Sequence, residues 1–190
     1  MNHRIALITS TEKSSDNRIY CFLAKTLCKN GWRVEVINPH FEGIDNDKIR
    51  FRRVALPTLS VLRMKNSHKL MLSALKESRA DVVILHDAEL LLMLPKLKSQ
   101  MVIQVIFDAY QKTCEPKSFM RKIADIAENV IIANKLEYVD AIITNDISAV
   151  DRISEKFERT SNIIANENDA DLLLSLCDEL EQAKKYSGGI

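Results

Sequence analysis

Apolar runs in this chain end in a repeated way: a β-like stretch closes on Asp or Asn, and a helical pattern follows. VVILHDAEL (82–90), MVIQVIFDAY (101–110) and DAIITND (140–146) all obey this grammar. Val/Ile-rich runs without polar alternation suit strands buried on both faces, and their alternation with helices implies a parallel sheet covered on each side. The pattern predicts strands at 4–9, 33–38, 50–56, 81–85, 101–107, 141–144 and 162–165. It predicts helices at 16–30, within 59–78, at 90–97 with Pro95 disturbing it, at 117–138, 148–157 and 169–185. In the first helix Ser15 or Asp16 supplies the cap, Ile19, Phe22, Leu23 and Leu27 the buried stripe, and Gly31 the stop. The expected fold is α/β: a three-layer α-β-α Rossmann-like domain with a mainly parallel, doubly wound sheet of about six or seven strands. In such sheets ligands bind beyond the carboxyl ends of the strands, so the polar residues that close the runs are the first candidates for function.

A length of 190 residues suits one domain with a real core. Residues 1–166 are expected to form the Rossmann-like domain and 167–190 a C-terminal helix and flexible tail, with no second domain. The charge balance, 27 basic against 26 acidic residues, argues against a general nucleic-acid binder. One patch stands out: between positions 48 and 79 lie Lys48, Arg50, Arg52, Arg53, Arg63, Lys65, Lys69, Lys76 and Arg79 against the single acid Glu77. The cysteines at 21, 28, 114 and 177 form no Cys-x-x-Cys pair and read as reduced, small apolar residues of a cytoplasmic protein. No secretory leader fits the N-terminus and no apolar run reaches membrane-spanning length, which limits any membrane contact to the periphery of the inner face.

Several chemistries find no residues to carry them. A dinucleotide site needs a Gly-rich turn after the first strand and a carboxylate closing the second; here the first loop is TSTEKSSDN and the second strand ends at Asn38-Pro39. There is no Walker-type lysine loop, no Gly-x-Ser-x-Gly elbow and no His-x-x-x-His pair, and the four histidines are scattered. The default is a site without metal, cofactor or covalent nucleophile.

In that order along the chain, SDNRIYCFLAKTLCKNGWRVEVINP (15–39), ADVVILHDAELLL (80–92), VIFDAY (105–110) and EYVDAIITND (137–146) resemble the N-terminal, acceptor-side domain of bacterial retaining GT-B glycosyltransferases. The group they resemble builds capsular, exopolysaccharide and lipopolysaccharide chains. The resemblance implies a crevice between two Rossmann-like domains, with the acceptor on this half and the nucleotide-sugar donor on the other. Carried over by position, it implies substrate contacts from Asp16 and Arg18 in the first loop, His86 and Asp87 at the fourth strand end, and Asp108 at the fifth. Such side chains orient sugar hydroxyls and stabilise an oxocarbenium-like transition state. The chain departs from the family where Tyr110-Gln111 stands for His-Glu, and it has no Glu-x7-Glu pair of the donor half. The resemblance therefore implies no cofactor on this chain. A nucleotide-diphosphate sugar is expected only with a second domain, and the implied partners are a saccharide or lipid-linked saccharide acceptor and a donor-binding subunit.

Each residue also has a plainer role. Asp16 suits a helix N-cap, Arg18 a solvated first turn, His86 a hydrogen bond to a neighbouring loop, Asp108 a turn cap, and Tyr110 the lining of a vestigial pocket. The basic segment, with Leu59, Leu62, Met64, Leu70, Met71, Leu72 and Leu75 interleaved, fits either an anionic membrane surface or an ordinary amphipathic helix with a solvated face. The stripe Leu172, Leu173, Leu176 and Leu180 packs on the sheet or docks a companion subunit or second copy. Two other function classes stay open: an accessory or regulatory protein that kept the fold and lost the chemistry, and a small nucleotide-binding or signalling α/β domain.

Overall fold

Strands β1 (Arg4–Ile8), β2 (Arg33–Asn38), β3 (Ile49–Arg53), β4 (Val82–Leu85), β5 (Gln104–Asp108), β6 (Ala141–Ile143) and β7 (Ile163–Ile164) pair in the spatial order 3-2-1-4-5-6-7. Every pairing is parallel. This computed structural model describes residues 3–10, 23–39, 46–55, 60–109, 131, 134–144, 163–164 and 170–187. The helices are α1 (Lys25–Lys29), α2 (Ser60–Ser78), α3 (Leu94–Gln100) and α4 (Ala170–Ser187), with 3-10 turns at Ala88–Met93 and Leu136–Tyr138. The chain winds outward from β1 to β3, then returns across β1 to build the other half from β4 to β7. The order reverses between β1 and β4.

Both faces of the sheet are buried, which is why its strands show no polar alternation. Ala6, Ile8, Val83, Leu85, Val105 and Phe107 face a core completed by Met71 and Leu75 of α2, by Leu90 and Leu91, and by Leu94 and Leu97 of α3. Their neighbours Ile5, Leu7, Val82, Ile84 and Ile106 face the opposite core, with Leu23, Leu27, Trp32, Leu173, Leu176, Cys177 and Leu180. Burial pushes the Cys177 thiol up to about 12, and the charge of Asp178 adds to this, so Cys177 serves packing rather than nucleophilic chemistry.

Gly31 ends α1 for a conformational reason. Its φ is +92°, and an added Cβ would meet nothing within 4 Å, so the demand is for the left-handed backbone and not for space. The Trp32 N–H donates to the Leu27 carbonyl (3.1 Å) and the Gly31 N–H to the Cys28 carbonyl (3.1 Å). Leu27 and Trp32 share one core, completing a Schellman cap. Arg79 also has positive φ, +53°, at the end of α2, but without glycine's freedom.

The structure corrects several sequence expectations. Pro95 does not disturb a helix over 90–97: a 3-10 turn occupies Ala88–Met93, and Pro95 lies in the first turn of α3, where a missing N–H costs nothing. Positions 101–103 are not strand, and β5 starts at Gln104. The third strand is Ile49–Arg53, not 50–56. The predicted helix at 148–157 lies outside the described residues, as does most of 117–138, which ends in the 3-10 turn Leu136–Tyr138. In the C-terminal helix Leu173, Leu176 and Leu180 are buried with Ile5, Leu7 and Ile84, which is the sheet-packing alternative for that stripe, while the Leu172 side chain lies outside the described residues. His3 Nδ1 lies 2.5 Å from Glu181 Oε2 and fastens α4 beside the start of β1.

Part of the basic segment is spent internally. Arg52 of edge strand β3 meets Glu35 of β2 (Nε to Oε1, 2.5 Å) and Glu77 of α2. Desolvation pulls the guanidinium down, but its hydrogen bonds and charge pairing with Glu35, then Glu77, outweigh that and leave it raised. Arg50, Arg53, Lys69, Lys76 and Arg79 remain exposed. Among the described residues no helix is long and apolar enough to cross a membrane.

Two stability measurements check this packing. Leu176→Ala should lower the unfolding free energy by about 2–5 kcal/mol in a denaturant titration, whereas an unchanged midpoint would mean that α4 is not part of the core. Arg79→Gly should raise stability by up to about 1 kcal/mol by relieving the left-handed backbone.

Candidate functional site

Parallel register brings the candidate residues together. Ile8 pairs with Leu85 and Leu85 with Phe107, so the residues just beyond them gather on neighbouring strand ends. The His86 N–H donates to the Ile8 carbonyl (3.0 Å) and the Thr9 N–H to the Ile37 carbonyl (3.1 Å), which continues the pairing past the strand ends. This rim lies at the point where the strand order reverses, the expected ligand crevice of a doubly wound sheet.

Side-chain parity then sets up the main contact. Leu85 and Phe107 point into one core, so the next residues on their strands, His86 and Asp108, point together toward the opposite face. His86 Nδ1 sits 2.8 Å from Asp108 Oδ2, with the two side chains 3% and 0% exposed. A carboxylate oxygen accepts, so Nδ1 is the donating nitrogen of this contact, and the tautomer that this selects carries its lone pair at Nε2. Nε2 is buried and has no hydrogen-bond partner among the described residues. A buried polar atom of this kind is rare without a function, because desolvation is not repaid within the fold.

Asp87 has a different task. Its Oδ2 accepts from Thr9 Oγ1 (2.8 Å), the Ser10 backbone N–H (2.6 Å) and Ser10 Oγ (3.1 Å). One carboxylate oxygen thus fixes the exit of β1 to the end of β4 and is not free for a ligand. Asp16, Arg18 and Tyr110 lie outside the described residues. His86, Asp87 and Asp108 are brought together.

Sequence reasoning missed other rim residues. Thr9 and Ser10 are the polar residues after β1, but residue type alone does not mark them as the partners of Asp87. Asn38 at the end of β2 and Thr144 just after β6 are 2% and 0% exposed, and both close apolar strands. Thr144 Oγ1 donates to the Ala109 carbonyl at 3.4 Å, bracing the turn after Asp108. Among the described residues no group of three or more His, Cys, Asp or Glu could hold a metal ion.

No protein-family model matches the sequence, and no curated protein matches it significantly. Solved structures do share the fold. The chain is similar to sucrose-phosphate synthase from Thermosynechococcus elongatus (TM-score 0.61, 13% identity, 86% of this chain and 47% of that one). It is similar also to UDP-N-acetylglucosamine 2-epimerase from Rickettsia bellii (TM-score 0.61, 13% identity, 96% and 48%). A third likeness is the lipopolysaccharide outer core galactosyltransferase WaaB (TM-score 0.58, 16% identity, 84% and 44%). The chain spans about half the length of these proteins. Its fold is that of a Rossmann-like GT-B half domain.

The Asp87 clamp has a direct check. Asp87→Ala should cost about 1–3 kcal/mol, because three donors lose their acceptor, and should speed hydrogen exchange at the Ser10 amide. Asp87→Asn, which keeps a carbonyl oxygen, should lose less. Unchanged Ser10 exchange in Asp87→Ala would show that the loop is held by something else.

Proposed function

We propose that this chain is the acceptor-side half of a retaining glycosyltransferase that assembles a cell-surface polysaccharide. The observation that carries this reading is the His86 imidazole at the reversal point of the sheet, with Nδ1 fixed by Asp108 and Nε2 without a hydrogen-bond partner among the described residues. Nε2 accepts a hydrogen bond from a hydroxyl of the acceptor saccharide, and Asp108 positions the ring by holding its tautomer and orientation. Asp87 shapes the crevice wall through Thr9 and Ser10, while Asp16 and Arg18 on the following loop and Tyr110 beyond β5 add contacts to the saccharide.

The donor, a nucleotide-diphosphate sugar, binds to a second domain, carried by another chain or by the rest of a longer protein. The half-length coverage of the GT-B neighbours supports this division, as does the absence from the sequence of a glycine-rich diphosphate turn. In the closed crevice the strand-end groups hold the acceptor hydroxyl against the sugar carbon as its bond to the diphosphate loosens. The reaction sits at the cytoplasmic face of a membrane, where exposed Arg50, Arg53, Lys69 and Lys76 meet anionic lipid and a lipid-linked acceptor.

Calorimetric titration and thermal shift with an oligosaccharide panel test the proposal. A saccharide should bind and stabilise the chain, while UDP- and GDP-sugars alone should not. His86→Ala and Asp108→Asn should each weaken that binding by about tenfold. Clear stabilisation of this chain by a nucleotide sugar would overturn the division of labour, and an unaltered affinity in His86→Ala would remove the site.

A further inference from the structure

Only positions 165–169 separate β7 from α4 in the sequence. Fully extended they reach about 20 Å, and so few residues hold no globular unit. The helix that follows them is nevertheless part of the interior. Leu173, Leu176, Cys177 and Leu180 share a core with Ile5, Leu7, Ile84 and Ile106. α4 lies against β4 and β5, on the face that α1 covers at β2.

Two likenesses to one enzyme bear on this helix. Against the sucrose-phosphate synthase chain the likeness takes in 86% of this chain. Against a domain of that enzyme made of two stretches, 27–220 and 406–426, it takes in 98% of this chain and 100% of the domain (TM-score 0.58, 15% identity). A correspondence in chain order that uses the whole of that domain, and nearly the whole of this chain, ends with α4 on the 406–426 stretch. The 18 residues of α4 suit a stretch of that size. In the enzyme everything between 220 and 406 intervenes before this return; here positions 165–169 make it directly.

We infer that α4 is the returning helix of a two-segment domain, and that positions 165–169 mark the point at which a second body is spliced into this fold. Its berth is set by the apolar side chains it buries and by the contact of Glu181 with His3, not by what precedes it. The cost of a longer connection grows only with the logarithm of its length, well below the gain from burying four apolar side chains. Resting on the acceptor-side reading above, this also fixes how the donor half meets the chain. It is not threaded between β7 and α4, and it reaches the strand-end rim as a separately folded body.

Two insertions at position 167 of the full chain test the inference: a Gly/Ser segment of about 20 residues, and the stretch of sucrose-phosphate synthase between 220 and 406. The Gly/Ser insertion should lower the melting temperature by about 3–6 °C and leave the amides of Leu173, Leu176 and Leu180 as slow to exchange as in the wild type. The chimaera should keep the same protection in α4 and gain a second melting transition. Fast exchange in α4 of either variant, with β1, β4 and β5 still protected, would overturn the inference, as would collapse of the whole sheet on Gly/Ser insertion. A wild-type chain that binds no saccharide removes the acceptor-side reading, and with it the donor-half clause, while protected α4 amides in both variants still uphold the splice point.

Discussion

In a parallel sheet buried on both faces, the pairing register and the alternation of side chains leave little choice about which residues meet. Ile8, Leu85 and Phe107 stand level on β1, β4 and β5. The residue that follows β4 and the last residue of β5 then turn to the same side, and those residues are His86 and Asp108. Their 2.8 Å contact follows from the core packing beneath it rather than from a separate device. Every methyl group that holds the strands in register also holds the imidazole in place, which is the economy of building a site on strand ends instead of on free loops.

The sheet was legible in the sequence because double burial writes itself as unbroken Val/Ile runs. The order of β and α patterns gave the architecture, and Gly31 was readable as a helix stop because only one backbone geometry suits it. Strand ends were less legible. Positions 101–103 look as apolar as β5 itself, yet Lys98 Nζ bonds the Ile103 carbonyl (3.0 Å) and the ladder starts one residue later. Pro95 misled for a related reason: its effect depends on whether it stands inside a helix or in its first turn, and the preceding 3-10 turn has no distinct sequence signature.

At the rim, residue type located the participants but not their tasks. Asp87 and Asp108 are both strand-end aspartates, and a sequence gives no means of telling them apart. Three-dimensional neighbours do: one receives a hydroxyl, an amide and a second hydroxyl from the β1 exit, the other a histidine nitrogen. Glu89 does not stand out by type, because an acid in the first turn of a helix is ordinary. What sets it apart is one carboxylate oxygen that is buried without a hydrogen-bond partner among the described residues.

The contact of His3 with Glu181 brings the start of the first strand and the last helix to one corner of the sheet. Covalent order and spatial order are thereby separable in this fold. None of the strand pairings depends on how the chain reaches that corner, so a permuted chain in which β1 and α4 are joined there by a short linker is expected to keep the same parallel sheet.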